Sequence, residues 1–271
     1  MKIKLLVFLV LFAFGSLLSQ GKASFSPEKP VLNDLLKIKY DPSGTKLSAS
    51  SAISAEVLAV KEMEPPQYHE INLVKKGNQW TGDFKISEKD CRMLLIKFTD
   101  GNNADDNNEN VWDVFVYGKD KKALNSAYDS RGTVYAYGDF YGFKKKKDLD
   151  KALSDFETEI KNYPGSWRSY TSMWRIILRR NPGEESNNKI KSKINELYEA
   201  NKNNEEAVMA LAPYFEQIGE KEKSEKIRSE AMEKNPKGVI AKNSLMRNAY
   251  GEKNAEKRNA ILEKLISDFD L

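Results

Sequence analysis

The N-terminal part of the chain alternates apolar and polar positions with the two-residue period of β-strands, from residue 24 to residue 118. In the run "LLKIKYDPSG", the side chains of Leu36, Ile38 and Tyr40 fall on one face, and the run ends in the turn-forming residues 41–44. The run "SAISAEVLAV" repeats the same alternation. Both runs therefore predict short strands with one buried face.

Further strands are predicted on either side of two turns. The runs "HEINLV" and "QWTGDFKI" flank a turn at residues 76–78, and the runs "RMLLIKF" and "VWDVFV" flank a polar loop at residues 100–110. Six or seven short strands separated by polar turns predict an all-β immunoglobulin-like sandwich over residues 24–120. Because the chain has one cysteine, the disulfide that joins the sheets of antibody domains is excluded, and we expect Trp80 or Trp112 to fill the core.

From about residue 122 the apolar positions take the spacing of amphipathic helices. The run "DLDKALSDFETEIKNYPGS" places five apolar side chains on one helix face, and Pro164 ends that helix. The runs "WRSYTSMWRIIL" and "KIKSKINELYEA" carry similar apolar stripes. The C-terminal part of the chain is therefore predicted to be all-α.

These helices recur with the period of tetratricopeptide repeats. Residues 205–238 form a 34-residue unit of helix, turn and helix that closes at Pro236, and Pro164 lies 72 residues before Pro236, close to two repeat lengths. A last, degenerate helix pair is predicted after residue 239. Since a helix pair of this kind buries its apolar stripe only against its neighbours, we predict a stacked array of tetratricopeptide-like repeats over residues 121–271.

The stretch "YAYGDFYGFKKKK" combines five aromatic residues with four lysines. Its spacing predicts the first helix of the first repeat over Tyr135–Phe143, with Tyr137, Phe140 and Phe143 in the core. The lysines would form the following turn, with Asp148 as the N-cap of the next helix. An exposed aromatic platform that stacks on nucleic-acid bases or sugars is the alternative hypothesis.

The N-terminus has the pattern of a secretory signal peptide. Two lysines precede fourteen uncharged residues, from Leu5 to Leu18, and small residues follow. That apolar run is shorter than the roughly 20 residues of a membrane-spanning helix, although an uncleaved anchor is the alternative. We expect residues 1–23 to act as the signal peptide, with the mature start between Gln20 and Ser24. The protein is then exported, periplasmic or extracellular, with no stable membrane anchor after cleavage.

The composition excludes several classes of function. The chain has 44 basic and 40 acidic residues, a net charge of +4 over 271 residues, so a dedicated nucleic-acid binder is not expected. One cysteine and one histidine exclude a cysteine–histidine zinc site and a C-x-x-C redox pair. Cys91 begins the apolar run "CRMLLIKF", and we expect its thiol to be buried.

No catalytic, cofactor-binding or metal-binding residue is predicted. The loop Asp100–Asn110 is rich in oxygen ligands but lacks the ligand order and the glycine of an EF-hand, so a solvated loop is expected. His69 stands beside Glu70 with no nucleophile at a recognisable spacing and is expected to be structural. The sequence also contains no glycine-rich phosphate loop and no nucleophile elbow.

The runs "LLIKFTDGNNADDNNENVWDVFVYG" and "KALSDFETEIKNYPGS", behind an export signal, give the chain a family resemblance. The chain resembles the N-terminal region of exported TlpA-like thiol-disulfide reductases, in which an immunoglobulin-like domain and tetratricopeptide-like helices precede a thioredoxin domain. The thioredoxin domain and its C-x-x-C motif are absent from this sequence, so the resemblance assigns redox activity to no residue.

Two functions are favoured by these patterns, and a glycan-binding accessory of an enzyme, which rests only on the sandwich and exposed tryptophans, is a third. The first is a non-enzymatic exported scaffold that binds a protein or peptide on the concave face of its helical repeats, at residues that the sequence does not identify. The second is the regulatory part of a TlpA-like reductase. The last helix, which ends near Phe269, carries an apolar stripe without a stop signal, and from this we expect the natural chain to continue beyond Leu271.

Overall fold

The computed structural model describes residues 21–62 and 64–269, and these residues divide into two compact units, one ending at Val116 and one beginning at Tyr117. The first unit is all-β and the second is almost entirely helical. This order confirms the predicted fold class, an antiparallel β-sandwich followed by an all-α region.

The strands of the first unit are antiparallel and lie in two sheets. They are β1 (Lys22–Ser26), β2 (Leu35–Asp41), β3 (Ser54–Lys61), β4 (Gln67–Asn72), β5 (Val74–Lys76), β6 (Gln79–Lys85), β7 (Cys91–Thr99), β8 (Ala104–Asp105) and β9 (Trp112–Phe115). One sheet has the order β1-β2-β6-β5, and the other has the order β4-β3-β7-β8, with β9 also paired to β7. The predicted hairpin at residues 76–78 is the β5–β6 turn.

The run "HEINLV", predicted as one strand, changes sheet at Leu73. Residues before Leu73 pair with β3 and residues after it pair with β6. The side chain of Leu73 is buried, and the backbone N–H of Leu73 donates to the carbonyl oxygen of Ile53 at 2.9 Å. The crossing therefore leaves this backbone donor satisfied, which is why the chain can pass between the sheets here.

Aromatic side chains from both sheets fill the centre of the sandwich. The rings of Tyr40 and Phe98 stack at 3.8 Å between centroids, and the edge of Trp112 meets the Phe98 ring at 5.1 Å. Trp80, opposite Tyr40 in the sheet, is also buried. Both tryptophans that the sequence nominated therefore contribute, around a stacked pair that supplies the centre without a disulfide.

The helices of the second unit follow in sequence with short connections. They are α1 (Ala127–Tyr137), α2 (Leu149–Asn162), α3 (Trp167–Arg180), α4 (Glu184–Asn201), α5 (Glu205–Gln217), α6 (Lys221–Lys234), α7 (Val239–Gly251) and α8 (Ala255–Phe269). Each helix packs on the next along most of the series, and α1, α3, α5 and α7, the first helices of successive pairs, also contact one another in order. We call the surface that these four helices contribute the first-helix face.

Helix ends agree with the capping residues in the sequence. The Asp148 carboxylate accepts hydrogen bonds from the N–H groups of Asp150 and Lys151, as predicted, and Asn204 caps α5 in the same way. Pro164 follows the end of α2, as expected from its missing N–H. In the part of the chain that the structure describes, no helix is long and apolar enough to cross a membrane.

The aromatic stretch Tyr135–Phe143 is not one helix, and that prediction is wrong. The helix α1 ends at Tyr137, and Gly138 follows in the left-handed conformation. A two-residue hairpin then forms from β10 (Asp139–Phe140) and β11 (Phe143–Lys144). Its turn residues, Tyr141 and Gly142, both have positive φ, as a tight two-residue hairpin requires. The two glycines thus favoured a helix stop and a turn over the continued helix that the aromatic spacing suggested.

Only part of the predicted aromatic core is buried. Phe143 is 1% exposed and Phe140 is half-buried, whereas Tyr137 is 60% exposed and Tyr141 is 68% exposed. The hairpin alternates its side chains between the core and solvent. The stretch is therefore neither a continuous core seam nor a continuous exposed platform.

The predicted signal peptide, residues 1–23, lies mostly outside the described residues, and its last three residues lie in the sandwich. Lys22 and Ala23 pair with β2, and the N–H of the buried Gly21 donates to the Asp105 carboxylate at 3.0 Å. That carboxylate also accepts from the Tyr40 hydroxyl at 2.7 Å. Gly21 thus supplies one of the donors to a buried carboxylate.

We therefore expect a chain that starts at Ser24 to be less stable than one that starts at Gly21, by about 1–3 kcal/mol, because it withdraws a donor from buried Asp105 and shortens β1. Thermal unfolding of the two chains measures the difference. A chain that starts at Gln20 is the control, and its melting temperature should equal that of the chain that starts at Gly21. Equal melting temperatures at all three starts would contradict the expectation. The same reasoning favours a mature start at Gln20 or Gly21 within the predicted range.

Candidate functional site

An apolar hollow with a charged rim lies in the first part of the helical unit. It is a cleft of about 220 Å³ between α1, α2 and α3, which we call the first cleft. Its lining includes Tyr137 of α1, Lys147 before α2, Phe156 of α2, and Ser172, Arg175 and Arg179 of α3. On α3 these positions follow the i, i+3, i+7 spacing that places side chains on one helix face.

The floor of the first cleft is apolar and fixed. Phe156 and Ile176 are buried and form one hydrophobic cluster with Ala152, against which Leu149 and Ala136 pack. Gly132 of α1 permits this approach, since a Cβ there would come within 2.7 Å of the Phe156 ring. The helices α1 and α2 can therefore lie close together, and the Phe156 ring that supports the floor is held in place.

The rim of the first cleft is cationic. Lys147, Arg175 and Arg179 are exposed, and none of the three forms an ion pair with a carboxylate within residues 21–62 and 64–269. Arg175 donates to the Tyr137 hydroxyl at 2.9 Å, which orients its guanidinium beside the opening. No acidic residue lines the cleft among those that the structure describes. The opening therefore presents positive charge that the protein does not neutralise locally.

A second cleft of about 250 Å³ lies between α5, α6 and α7. Like the first, it is bounded by both helices of one pair and the first helix of the next. Ser244 and Arg247 of α7 line it, each 72 residues after Ser172 and Arg175 of α3. In both helices the serine is the sixth residue and the arginine is the ninth. The two clefts are therefore equivalent positions in a repeat of two helix pairs.

The second cleft differs in its floor and its charge. Its apolar lining comes from Met209, Met232 and the buried Ile240 and includes no aromatic side chain, and Glu225 lines it together with Arg228. Pro213, inside α5, also lines the cleft and has no N–H to donate to the carbonyl of Met209. The second cleft is therefore more adaptable and less positively charged than the first.

No binding residue follows from the sequence patterns above, although one signal is present. The proline spacing of 72 residues indicates the repeat, and the Ser-x-x-Arg pairs at residues 172–175 and 244–247 recur at the same spacing. Arg175 and Arg179 stand in a run rich in aromatic and aliphatic residues, where they look like the solvated side of an amphipathic helix. Only the packing of α1 and α2 against α3 turns that side into the wall of a cleft.

Cys91 has the environment of an unreactive thiol. It is buried in β7, its sulfur lies 3.5 Å from the carbonyl oxygen of Met93, and burial raises the pKa of the thiol to about 12. The predicted burial is confirmed. Since the thiolate is the reactive form, this cysteine is poorly suited to nucleophilic or redox chemistry while the sandwich is folded.

We accordingly expect Cys91 in the native protein to react with a disulfide reagent such as Ellman's reagent at a negligible rate. In concentrated denaturant it should titrate as one thiol per chain, because the chain contains one cysteine. Time-resolved absorbance at mildly alkaline pH measures both rates. A fast native reaction would contradict the assigned burial.

The acidic loop of the sandwich satisfies its first carboxylate by hydrogen bonds within the protein. In the loop after β7, the Asp100 carboxylate accepts from the N–H groups of Asn102 and Asn103 and from the Ser50 hydroxyl, which lowers its pKa. His69 in β4 has its Nε2 atom 3.3 Å from the Glu88 carboxylate, but this buried nitrogen makes no hydrogen bond within the described residues. Within the described residues, no three His, Cys, Asp or Glu side chains converge as a metal site.

The first cleft thus combines a fixed apolar floor with locally uncompensated positive charge, and its equivalent recurs two helix pairs later. Comparison of the chain with family models, with curated proteins and with solved structures gives no match.

Proposed function

We propose that this chain is an exported, non-enzymatic scaffold that binds a protein or peptide segment along the first-helix face of its helical unit. The observation that carries the proposal is the pair of equivalent clefts, 72 residues apart, each opening between one helix pair and the next. Stacked helix pairs of tetratricopeptide type build extended surfaces in this way, since each added pair repeats the same hollow.

The size of the clefts favours a side chain as the occupant. At about 220 and 250 Å³ they are smaller than the roughly 300–1,000 Å³ of pockets that enclose drug-sized ligands or cofactors. Two such hollows on one helical unit suit an extended chain that inserts one side chain into each. A linked pair of contacts of this kind also raises affinity, because the second contact forms within an existing complex.

Export rests on the N-terminal pattern of the sequence. A basic start, a short apolar run and small residues are the features of a secretory signal peptide. Mass spectrometry of the protein expressed with its leader in a bacterial host tests this part of the proposal. A mature start between Gln20 and Ser24 in the periplasmic or extracellular fraction supports it, and a retained Met1 in the membrane fraction contradicts it.

A random-peptide display selection on the immobilised mature chain tests binding. We expect peptides with a shared motif to be enriched, and cross-linking of the enriched peptide should label residues of the helical unit. A chain truncated after residue 116, if it remains folded by circular dichroism, is the control and should enrich none of them. Failure to enrich any motif, or labelling confined to the sandwich, would contradict the proposal.

The order of the two units supports a second proposal, because it is the order that the resemblance to TlpA-like reductases implies. In that case the chain is the regulatory part of an exported thiol-disulfide oxidoreductase whose catalytic domain lies elsewhere. Neither proposal gives this chain redox activity of its own. The purified chain is therefore expected to leave the rate of insulin reduction by dithiothreitol unchanged, and acceleration above background would contradict both.

A further inference from the structure

We propose that the first cleft binds an acidic peptide segment in which one aromatic or large aliphatic side chain is flanked by carboxylates. This inference rests on the proposed scaffold function and specifies the chemistry of the partner. The apolar residue would enter the cleft, and the flanking carboxylates would meet the cations on its rim.

The floor selects the apolar residue. Phe156 and Ile176 close the bottom of the cleft, and Leu149 and Ala136 form partly exposed walls. Insertion of an aromatic or aliphatic side chain would remove apolar surface from water on both partners, at roughly 25 cal/mol per Å². The Phe156 ring is already held by its cluster, so little ordering of the protein is needed on binding.

The rim selects the carboxylates. Arg175 and Arg179 are one helical turn apart on α3, so their guanidinium groups project from one face. Lys147 belongs to a different segment that borders the same opening. Carboxylates on either side of an inserted residue can therefore meet cations from two segments, and arginine binds a carboxylate in a two-pronged geometry.

The distribution of charge favours the same partner. Residues 127–180, which build the cleft, contain 11 Lys and Arg against 7 Asp and Glu. That excess of four equals the net charge of the whole 271-residue chain, so the remaining residues are balanced. The positive excess around the cleft would attract an acidic segment and raise its association rate.

Fluorescence anisotropy with four short labelled peptides tests the inference. The probes are Asp-Glu-Phe-Asp-Glu, the same peptide with alanine in place of phenylalanine, the same peptide with asparagine and glutamine in place of the acids, and Lys-Lys-Phe-Lys-Lys. We expect the acidic phenylalanine peptide to bind the mature chain about tenfold more tightly than each of the others. Its affinity should fall as salt is added, since exposed charges are screened.

Two variants separate the cleft from general charge. The double substitution Arg175→Ala and Arg179→Ala should weaken the acidic phenylalanine peptide about tenfold. Lys191→Ala with Lys237→Ala removes the same charge from exposed positions outside the cleft and should change the affinity by less than about twofold. Ser172→Phe keeps every charge and partly fills the cleft, so it should also abolish the preference for phenylalanine. Circular dichroism confirms that each variant is folded.

The outcomes distinguish this inference from the function on which it rests. Equal losses in the two double variants, or no preference for phenylalanine, would overturn the acidic-peptide assignment. If the display selection still enriches a basic or neutral motif that cross-links to the helical unit, the scaffold function survives and only the assignment of the partner fails. If no peptide of any chemistry binds, both fail.

Discussion

Replacing Glu159 by alanine is expected to lower the free energy of unfolding of the helical unit by about 3–5 kcal/mol. This carboxylate belongs to α2, is 0% exposed, and accepts from the N–H of Ser126 at 2.6 Å and from the N–H of Tyr128 at 3.1 Å. It thereby caps the start of α1 from the neighbouring helix. Hydrogen bonds to a charged group contribute roughly 1.5–3 kcal/mol each, and the substitution removes both.

The cap matters because α1 has no local substitute. Ser126 occupies its N-cap position with a φ of 70°, and its own side chain makes no capping bond. The positive end of the α1 dipole also faces the Glu159 carboxylate, which stabilises the charge. Removal of that carboxylate leaves the buried N–H of Ser126 and the partly buried N–H of Tyr128 without their acceptor, which is costly.

Glu157→Ala is the matched control, since Glu157 lies on the exposed side of the same helix. It should change stability by less than about 0.5 kcal/mol. Urea unfolding followed by far-ultraviolet circular dichroism measures both, because that signal is dominated by the helical unit. Equal midpoints for the two variants would show that the interhelix cap contributes little.

The parts of the fold that the sequence predicts well are those in which local signals agree. The helices α3 to α8 are bounded by Pro164, Pro182 and Pro236, by Gly219, and by the polar cap Asn204. Their apolar stripes are long enough for the helical period to be unambiguous. The boundary residues and the apolar stripes predict the same helices, and the structure contains helices at those positions.

The stretch around Tyr135 fails for the opposite reason, since its signals conflict. Five aromatic residues suggest a packed helix face, whereas Gly138 and Gly142 permit left-handed turns. The backbone freedom of two glycines decided the conformation, and the aromatic residues took whichever side the hairpin gave them. The number of aromatic residues therefore does not indicate whether the backbone continues as a helix or forms a turn at the glycines.

The candidate site could not be predicted because its residues are distant in the sequence. Lys147 and Arg179 are 32 residues apart, and each alone resembles an ordinary exposed cation. The cap by Glu159 on Ser126 spans 33 residues and follows no local motif. Only the packing of α1, α2 and α3 brings these groups together, and the periodicity of each helix does not specify it.

In the sandwich, the substitution with the largest expected effect is Phe98→Ala, at about 3–5 kcal/mol. Phe98 is 0% exposed in β7, stacks on Tyr40 and meets the edge of Trp112, so its removal leaves a cavity between two sheets and two aromatic rings. The Tyr40 hydroxyl is anchored on Asp105, which prevents its ring from moving far into the space. Because the surrounding side chains cannot move into the cavity, the loss of stability is expected at the upper end of this range.

Cys91 lies at the other end of the same strand, and the rate at which its thiol is modified measures the effect of the substitution. Because its buried thiol reacts only when the sandwich opens, its rate of modification reports the population of opened molecules. Phe98→Ala should therefore raise that rate by roughly two to four orders of magnitude. Tyr68→Ala, an aromatic truncation at a 52% exposed site on β4, is the control and should raise it by less than about tenfold. Similar rates in Phe98→Ala and the unsubstituted protein would mean that Cys91 is reached by a local opening of β7. The stacked pair would then not govern the stability of the strand that carries it.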